Sequence, residues 1–227
     1  MSRILFFIAS AIVGYLFGSI PTGYLYAKSK GKDIYSEGSH SPGATNIHRT
    51  LGSKSGKIVF LLDTLKTIIP IIIMDLAYTK FFTTSPFPGF FQSDEIGYEF
   101  RSIALYVGFF AILGHDYPIT MGFNGGKGIS CTFGMLLMFS PVIAIFLLIL
   151  QRFTSKITKY VSLGSILVLS IFFLFSIIFS ALKIYPFEFG FKFNVIILVF
   201  LISALGIYRH KTNIERLLNG TENKISK

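Results

Sequence analysis

The sequence predicts an all-α, polytopic integral membrane helix bundle with about seven membrane segments, its N-terminus outside and its C-terminus cytoplasmic. Apolar residues make up 52% of the 227 residues and the mean hydropathy is +0.65, which is outside ordinary soluble composition. The apolar residues fall into long runs, and the basic residues lie between these runs. We expect residues 1–227 to form one membrane-embedded domain.

The expected membrane helices correspond to apolar runs at 4–26, 58–79, 102–114, 129–150, 161–181 and 193–208. These runs are apolar on every face, whereas the strands of a barrel alternate in polarity. The first run follows Arg3, as in a signal peptide, but no small-residue cleavage site comes after it, so we interpret it as a retained helix. Ser10, Gly14 and Gly18 have the small-xxx-small spacing that suits close helix packing.

The distribution of basic residues predicts the orientation in the membrane. The 28–57 segment has six basic residues against two acidic ones, which favours the cytoplasm. The 81–101 segment has three acidic residues against one basic one, which favours an outside loop. Pro141 interrupts the 129–150 run. If that run forms two short helices, the basic 152–160 segment and the basic C-terminal tail both return to the cytoplasm.

A polar segment at 37–49 is the first candidate for a functional site. Its glycines allow tight turns that present backbone N–H groups to an anion. Ser39, Thr45 and Asn46 add neutral hydrogen-bonding groups, and Arg49 adds a permanent cation. The segment therefore suits phosphate, although an ordinary solvated loop has the same composition and stays open as an alternative.

The second candidate is the glycine-rich segment 122–128, which leads directly into an apolar helix. Such a turn combines free amides with the positive end of the helix dipole, and Lys127 adds a full charge. The spacing does not match a Walker loop, and an interhelical turn with a snorkelling lysine is the alternative. Just upstream, His115 is expected to be a helix-cap partner more than a proton carrier.

The third candidate follows the last apolar run, where His210 and Asn213 stand among basic residues. Basic residues at that place, including Arg209 and Lys211, are typical of a membrane anchor. An anchor does not explain the histidine or the asparagine. If the last helix continues past Tyr208, their i,i+3 spacing places His210 and Asn213 on one face.

Asp63 and Lys66 are charged residues that lie inside the second apolar run. Charges at membrane depth are costly and usually face protein or water. Their i,i+3 spacing allows them to share a helix face, so we expect each to compensate the charge of the other. Cys131 is the only cysteine, which excludes an intramolecular disulfide.

Taken in order, these segments resemble the PlsY family of bacterial acyl-phosphate:glycerol-3-phosphate acyltransferases. The resemblance is carried by Gly18-Ser19-Ile20-Pro21, Gly43-Ala44-Thr45-Asn46 with Arg49, Asp63-Thr64-Leu65-Lys66, Gly114-His115-Asp116-Tyr117-Pro118, Gly125-Gly126-Lys127-Gly128, and Tyr208-Arg209-His210 with Asn213. It covers nearly the whole chain. Where the family usually reads Gly-Ser-Gly-Asn, this chain has Gly38-Ser39-His40-Ser41.

The resemblance implies an enzyme of phospholipid synthesis in the bacterial inner membrane, with its active site toward the cytoplasm. It implies that a fatty acyl phosphate acylates the 1-hydroxyl of glycerol 3-phosphate, giving 1-acylglycerol 3-phosphate and inorganic phosphate. Catalysis is implied for Ser39, Arg49 and Lys127. Substrate binding is implied for Thr45, Asn46, Lys66, His115, Gly125, Gly126, His210 and Asn213. Neither a metal nor a cofactor is implied.

Two other classes of function are open on the sequence alone. A transporter or channel for an anionic phosphorylated metabolite also aims helix N-termini at phosphate, but the sequence shows no internal repeat. A non-catalytic scaffold leaves Lys127, His210 and Asn213 without a role. Nucleic-acid binding is not indicated, because the net charge of +10 is divided among loops between apolar spans.

Overall fold

The structure is a computed structural model that describes residues 2–89, 95–184, 186–187 and 193–225. Helices account for most of these residues, and no β-strand occurs among them. The helices are α1 (Arg3–Gly18), α2 (Thr22–Ser29), α3 (Ala44–Leu51), α4 (Ser53–Phe82), α5 (Glu95–Asp116), α6 (Ile129–Phe139), α7 (Pro141–Thr158), α8 (Val161–Leu182), α9 (Phe193–Arg209) and α10 (Lys211–Leu218). A short 3-10 turn, Ile119–Met121, follows α5.

Four helical stretches are long and apolar enough to cross a membrane. They are Arg3–Ser29, which joins α1 and α2, then Gly97–Met121, Pro141–Thr158 and Val161–Leu182. A fifth span results if α9 and α10, which are bent by 56° at their junction, form one broken span. The prediction of an apolar all-helical bundle is confirmed for the described residues, whereas seven segments and their orientation stay predictions.

The predicted break at Pro141 is confirmed. Helix α6 ends at Phe139 and α7 begins at Pro141, a position where the missing N–H of proline costs no helical hydrogen bond. The Ser140 hydroxyl caps α7 by accepting the N–H of Ile143. Helix α6 is only 11 residues long, about 16 Å, and it begins directly after the segment that carries Lys127.

Two segments expected to be loops are partly helical. The 28–57 segment contains the end of α2, all of α3 and the start of α4. The outside loop predicted at 81–101 is wrong beyond residue 94, because α5 already begins at Glu95 and buries Tyr98 and Phe100 in the core. Asp94, an acidic residue used for that prediction, lies outside the described residues.

The close packing predicted for the first helix is confirmed against α5. A Cβ added to Gly18 would lie 2.1 Å from the carbonyl oxygen of Ala111, and one added to Gly14 would lie 2.7 Å from that of Val107. Glycine is therefore required for α1 to approach α5 this closely. The contact places the end of α1 beside His115, near the end of α5.

A small apolar cluster holds the 28–57 segment against the end of the bundle. It consists of Ala27, Ile34, Ile47 and Val59, each almost completely buried. These residues join α2 and α3 to α4, and so fix the position of the polar 37–49 segment. The main core lies between the long helices and includes Phe6, Phe139 and Phe172.

Candidate active site

A cavity of about 530 Å³ opens between α3, α4, α6, α7, α8 and the C-terminal tail. Eight of the predicted site residues line it, namely Ser39, Thr45, Asn46, Arg49, His115, Lys127, His210 and Asn213. Another part of its wall is apolar and is formed by Phe60, Phe133, Leu136, Leu147, Val168 and Leu169. The remaining predicted residues, Lys66, Gly125 and Gly126, lie outside this wall.

Asn46 organises the loop that carries Ser39. Its Oδ1 accepts the backbone N–H of Ser39 at 2.8 Å, and its Nδ2 donates to the carbonyl oxygens of Glu37 and Ser41, each at 3.0 Å. Asn46 is only 1% exposed, so these bonds form inside the protein. Its amide is thus used in shaping the loop, while Thr45 and Ser39 line the cavity beside it.

His40 shows how the chain accommodates its departure from the usual glycine. The residue has a φ of 54°, in the left-handed region that glycine adopts without strain and other residues adopt at a cost of about 1–3 kcal/mol. The ring Nδ1 lies 2.8 Å from the carbonyl oxygen of Tyr35, a contact that glycine lacks. The backbone path next to Ser39 therefore does not depend on a glycine at this position.

Arg49 presents a buried hydrogen-bond donor at the cavity. Its Nη2 donates to the carbonyl oxygen of Asn223 at 3.1 Å, whereas its Nε is buried without a partner in the described part of the chain. Burial lowers the pKa of Arg49, but guanidinium groups remain protonated in proteins. A buried N–H without a protein partner is a donor available to a ligand.

Lys127 stands just before α6, whose N-cap residue Gly128 has a φ of 69°. The Lys127 ammonium donates to Oδ1 of Asn213 at 2.6 Å. Burial and the nearby cation of Arg216 lower the pKa of Lys127 to about 8. Together with the positive end of the α6 dipole, this ammonium forms an anion-binding corner.

Gly125 and Gly126 make a close contact with α5. A Cβ on Gly125 would lie 2.0 Å from the carbonyl oxygen of His115, and one on Gly126 would lie 2.0 Å from Nε2 of the same residue. The N–H of Gly126 donates to the His115 carbonyl at 3.0 Å. Both glycines are required by this approach, which brings Lys127 to the cavity.

His210 and Asn213 line the same cavity, but not on one continuous helix. The chain bends at His210, because α9 ends at Arg209 and α10 begins at Lys211, so the single helix through both residues on which a shared face depends does not form. His210 stays in place through Nδ1, which lies 2.7 Å from the carbonyl oxygen of Gly206. Both side chains are buried, at 3% and 5% exposure.

Glu222 is a site residue that the sequence reasoning missed. Its carboxylate accepts hydrogen bonds from Asn213 at 2.8 Å, Arg216 at 2.8 Å and Ser162 at 3.0 Å. Burial acts to raise the pKa of Glu222, but these hydrogen bonds lower it below its ordinary value. No local pattern distinguishes this glutamate from Glu215, so only the folded tail identifies it.

A buried polar cluster lies in the bundle next to the cavity. The Lys66 ammonium lies 3.0 Å from Oδ1 of Asp63 and 2.9 Å from Nδ1 of His115, and donates to the carbonyl oxygen of Ile20 at 2.8 Å. The predicted charge compensation between Asp63 and Lys66 is confirmed. The expectation that His115 caps a helix is wrong, because its ring belongs to this cluster. Thr22 also donates to Asp63.

Asp63, His115 and Cys131 offer ligand atoms that all lie within 4.8 Å of one another. Such a group is capable of holding a metal ion in principle. Here the Lys66 ammonium already contacts both Asp63 and His115, so a cation would meet direct repulsion at that point. The Lys66 ammonium therefore occupies the position that a metal ion would need, and substrate binding by Lys66 and His115 stays a prediction.

The chain is similar in sequence to glycerol-3-phosphate acyltransferases. A family model described as glycerol-3-phosphate acyltransferase matches residues 8–220. A glycerol-3-phosphate acyltransferase of Clostridioides difficile (strain 630) is 35% identical over 224 residues, which cover 96% of this chain and 95% of the relative.

Two crystal structures of PlsY (YgiH), an integral membrane glycerol 3-phosphate acyltransferase, are similar over 97% of this chain at 36% identity. The glycerol 3-phosphate form gives a TM-score of 0.76 and 96% coverage of that protein. The lysophosphatidic acid form gives 0.74 and 95%. The full-length match, together with the apolar helices, shows that the chain is a multi-pass membrane protein and belongs to the PlsY family of glycerol-3-phosphate acyltransferases.

Proposed function

We propose that this chain transfers a fatty acyl group from acyl phosphate to the 1-hydroxyl of glycerol 3-phosphate. The products are 1-acylglycerol 3-phosphate, a lysophosphatidic acid, and inorganic phosphate. Family membership supports acyl transfer to glycerol 3-phosphate, and the solved relatives were crystallised in glycerol 3-phosphate and lysophosphatidic acid forms.

One observation carries this proposal: a single cavity joins a cationic polar wall to an apolar wall. Both proposed substrates carry phosphate, which suits Arg49, Lys127 and the N-terminus of α6. The donor also carries a fatty chain, which suits the apolar part of the wall around Leu136 and Leu169. A carrier of small anionic metabolites has no need for the apolar part.

The residues divide into binding and catalytic roles. Arg49 and Lys127 bind phosphate oxygens and stabilise the negative charge that develops during transfer. Ser39 provides a hydroxyl at the same wall, and Thr45 adds another hydrogen-bonding group. His210 and Asn213 recognise glycerol 3-phosphate next to Lys127, to which Asn213 is hydrogen-bonded. Asn46 positions the Ser39 loop.

The chemistry requires no covalent acyl-enzyme, because acyl phosphate is already an activated mixed anhydride. The acceptor hydroxyl oxygen attacks the acyl carbon and forms the ester bond. The bond between that carbon and the phosphate oxygen breaks, and inorganic phosphate leaves. In the overall balance the hydroxyl proton ends on the leaving phosphate. Positioning and charge stabilisation are the contributions of the protein.

We also propose that the cavity faces the cytoplasm of a bacterial inner membrane, with the N-terminus outside. The basic residues support this orientation, because the polar wall lies at the end of the bundle that carries the basic 28–57 segment and the C-terminal tail. Seven membrane segments follow if α1, α4, α5, α6, α7, α8 and α9 are each counted.

The proposed reaction predicts phosphate release that depends on both substrates. Purified protein given acyl phosphate and glycerol 3-phosphate is expected to release phosphate, and omission of the acceptor is expected to stop it. Arg49→Lys is expected to lower kcat/KM about tenfold or more, since an ammonium does not reproduce a planar fork of donors. Release that is independent of glycerol 3-phosphate would contradict the proposed reaction.

A further inference from the structure

Arg209 holds the glycine segment that precedes Lys127. Its Nη2 donates to the carbonyl oxygens of Gly126 at 2.7 Å and Gly125 at 3.2 Å, and its Nε donates to Gly126 at 3.1 Å. Arg209 follows Gly126 by 83 positions in the chain and Gly125 by 84 positions. A basic anchor at a membrane surface has no need for such directed bonds to a loop.

Two neighbours keep the guanidinium in this position. Its central carbon lies 4.6 Å from the ring centre of Tyr117, within the range of a cation–π contact. Its Nε lies 4.0 Å from Oδ2 of Asp116, a carboxylate with no exposed surface. Asp116 is the last residue of α5 and Tyr117 follows it directly, so Arg209 connects α9, the end of α5 and the glycine segment.

The bonds to Arg209 fix the backbone that leads to Lys127. In a planar trans peptide the C=O of one residue and the N–H of the next point in opposite directions. The Gly126 carbonyl is held by Arg209, so the N–H of Lys127 points away from the guanidinium. The N–H of Gly126 is held in turn by the His115 carbonyl. Two consecutive peptide planes are thus fixed, and glycines alone would leave them free to rotate.

We propose that Arg209 is a positioning residue for acyl transfer, which sets the backbone from which Lys127 reaches the cavity. This inference rests on the function proposed above and assigns Arg209 no contact with substrate. The guanidinium suits the task because one planar group donates to two carbonyls and stacks on a ring at the same time. An ammonium at this position retains the charge and loses that geometry.

The first test compares two single variants, Arg209→Lys and Lys211→Arg, each of which keeps the positive charge and changes its geometry. Arg209→Lys is expected to lower kcat/KM for phosphate release about tenfold or more, with the melting temperature of the detergent-solubilised enzyme unchanged. Lys211→Arg is the matched control, because the Lys211 ammonium lies over the Tyr208 ring, at 5.1 Å, and makes no hydrogen bond or ion pair within the described residues. That control is expected to keep the kcat/KM of the natural enzyme.

The second test uses pH to detect a change at Lys127 itself. The charged or titratable groups that face Lys127 are Arg49 on α3, Asp116 on α5, Arg209 on α9, His210 at the junction of α9 and α10, Arg216 on α10 and Glu222 in the tail. Arg209→Gln removes one cation that disfavours the Lys127 ammonium, so the alkaline fall of kcat/KM is expected to move to higher pH. Arg209→Lys is expected to leave that fall at the pH of the natural enzyme.

Natural kcat/KM in Arg209→Lys would overturn the proposal. The proposal would also be overturned if Arg209→Lys lost kcat/KM together with a lower melting temperature and Arg209→Gln showed no pH shift. That pattern means general destabilisation. The reduced rate of a stable Arg209→Lys enzyme, or the pH shift in Arg209→Gln, supports it. Absence of phosphate release by the natural enzyme would instead overturn the proposed function.

Discussion

Lys127, Asn213 and Glu222 form a chain of hydrogen bonds at the polar wall of the cavity. Lys127 donates to Asn213 at 2.6 Å, and Asn213 donates to Glu222 at 2.8 Å. This direction fixes the Asn213 amide, with its oxygen toward the ammonium and its nitrogen toward the carboxylate. A charge-assisted chain of this kind orders residues more strongly than neutral bonds do.

The lowered pKa of Lys127 predicts an alkaline fall in activity. The ammonium is charged below its pKa of about 8 and neutral above it. Since only the charged form attracts phosphate, kcat/KM is expected to fall as the pH rises through about 8, approaching tenfold per unit beyond it. Bound phosphate stabilises the ammonium, so the fall in kcat is expected at higher pH than the fall in kcat/KM.

Lys127→Arg provides the control for this assignment. A guanidinium stays protonated across the same range, so the residual activity of the variant is expected to lack the alkaline fall. Steady-state phosphate release between pH 6 and 10 measures both enzymes. If kcat/KM of Lys127→Arg falls at the same alkaline pH as that of the natural enzyme, a group other than Lys127 causes the fall.

At the scale of elements, the contact between α1 and α5 positions His115, which lines the cavity. Gly18 lies against the carbonyl of Ala111, and Gly114 lies against the carbonyl of Tyr15. Beyond the helix ends, Thr120 donates to the carbonyl of Ser19 at 2.9 Å. The two helices therefore meet backbone to backbone near the point where Lys66 donates to the Ile20 carbonyl and contacts Nδ1 of His115.

Gly18→Ala is expected to destabilise the bundle. The added methyl would meet backbone atoms of Ala111 that cannot rotate away, and overpacking of this kind costs about 1–3 kcal/mol. Thermal unfolding in detergent is expected to show a lower melting temperature. Ile12→Val is the control, because Ile12 is 54% exposed and points away from this contact. Equal melting temperatures for the two variants would refute the close-packing argument.

At the scale of the whole molecule, the chain is a multi-pass membrane protein whose cavity has both a polar and an apolar wall. The short helix α6 contributes to both walls, since Lys127 stands directly before it and Phe133 and Leu136 lie on it. The polar wall comes from α3, the segment before α6 and the tail. The apolar wall comes from α4, α6, α7 and α8.

The proposed orientation predicts which positions a membrane-impermeant thiol reagent reaches. Cys131 is the only cysteine and is buried, so Cys131→Ala gives a suitable background. On it, Lys156→Cys is expected to react only from the cytoplasmic side of oriented vesicles, and Thr84→Cys only from the outside. Labelling of Lys156→Cys from the outside would exclude the seven-segment orientation.

The sequence by itself determined the features that depend on neighbours along the chain. Apolar runs predicted the helices, because a spanning helix must satisfy its own backbone in lipid. Pro141 predicted the break before α7, and the i,i+3 spacing of Asp63 and Lys66 predicted their ion pair. The resemblance named the candidate residues, of which eight line one cavity.

Only the tertiary structure decided how distant segments share the site. The roles of Arg209, Glu222 and Asn223 depend on contacts such as Arg209 with Gly126, 83 positions apart, and Arg49 with Asn223, 174 positions apart. A basic residue at a helix end and a glutamate in a polar tail have no local pattern that reveals such partners. Helix packing sets these contacts, because side chains far apart in sequence meet only after the bundle has formed.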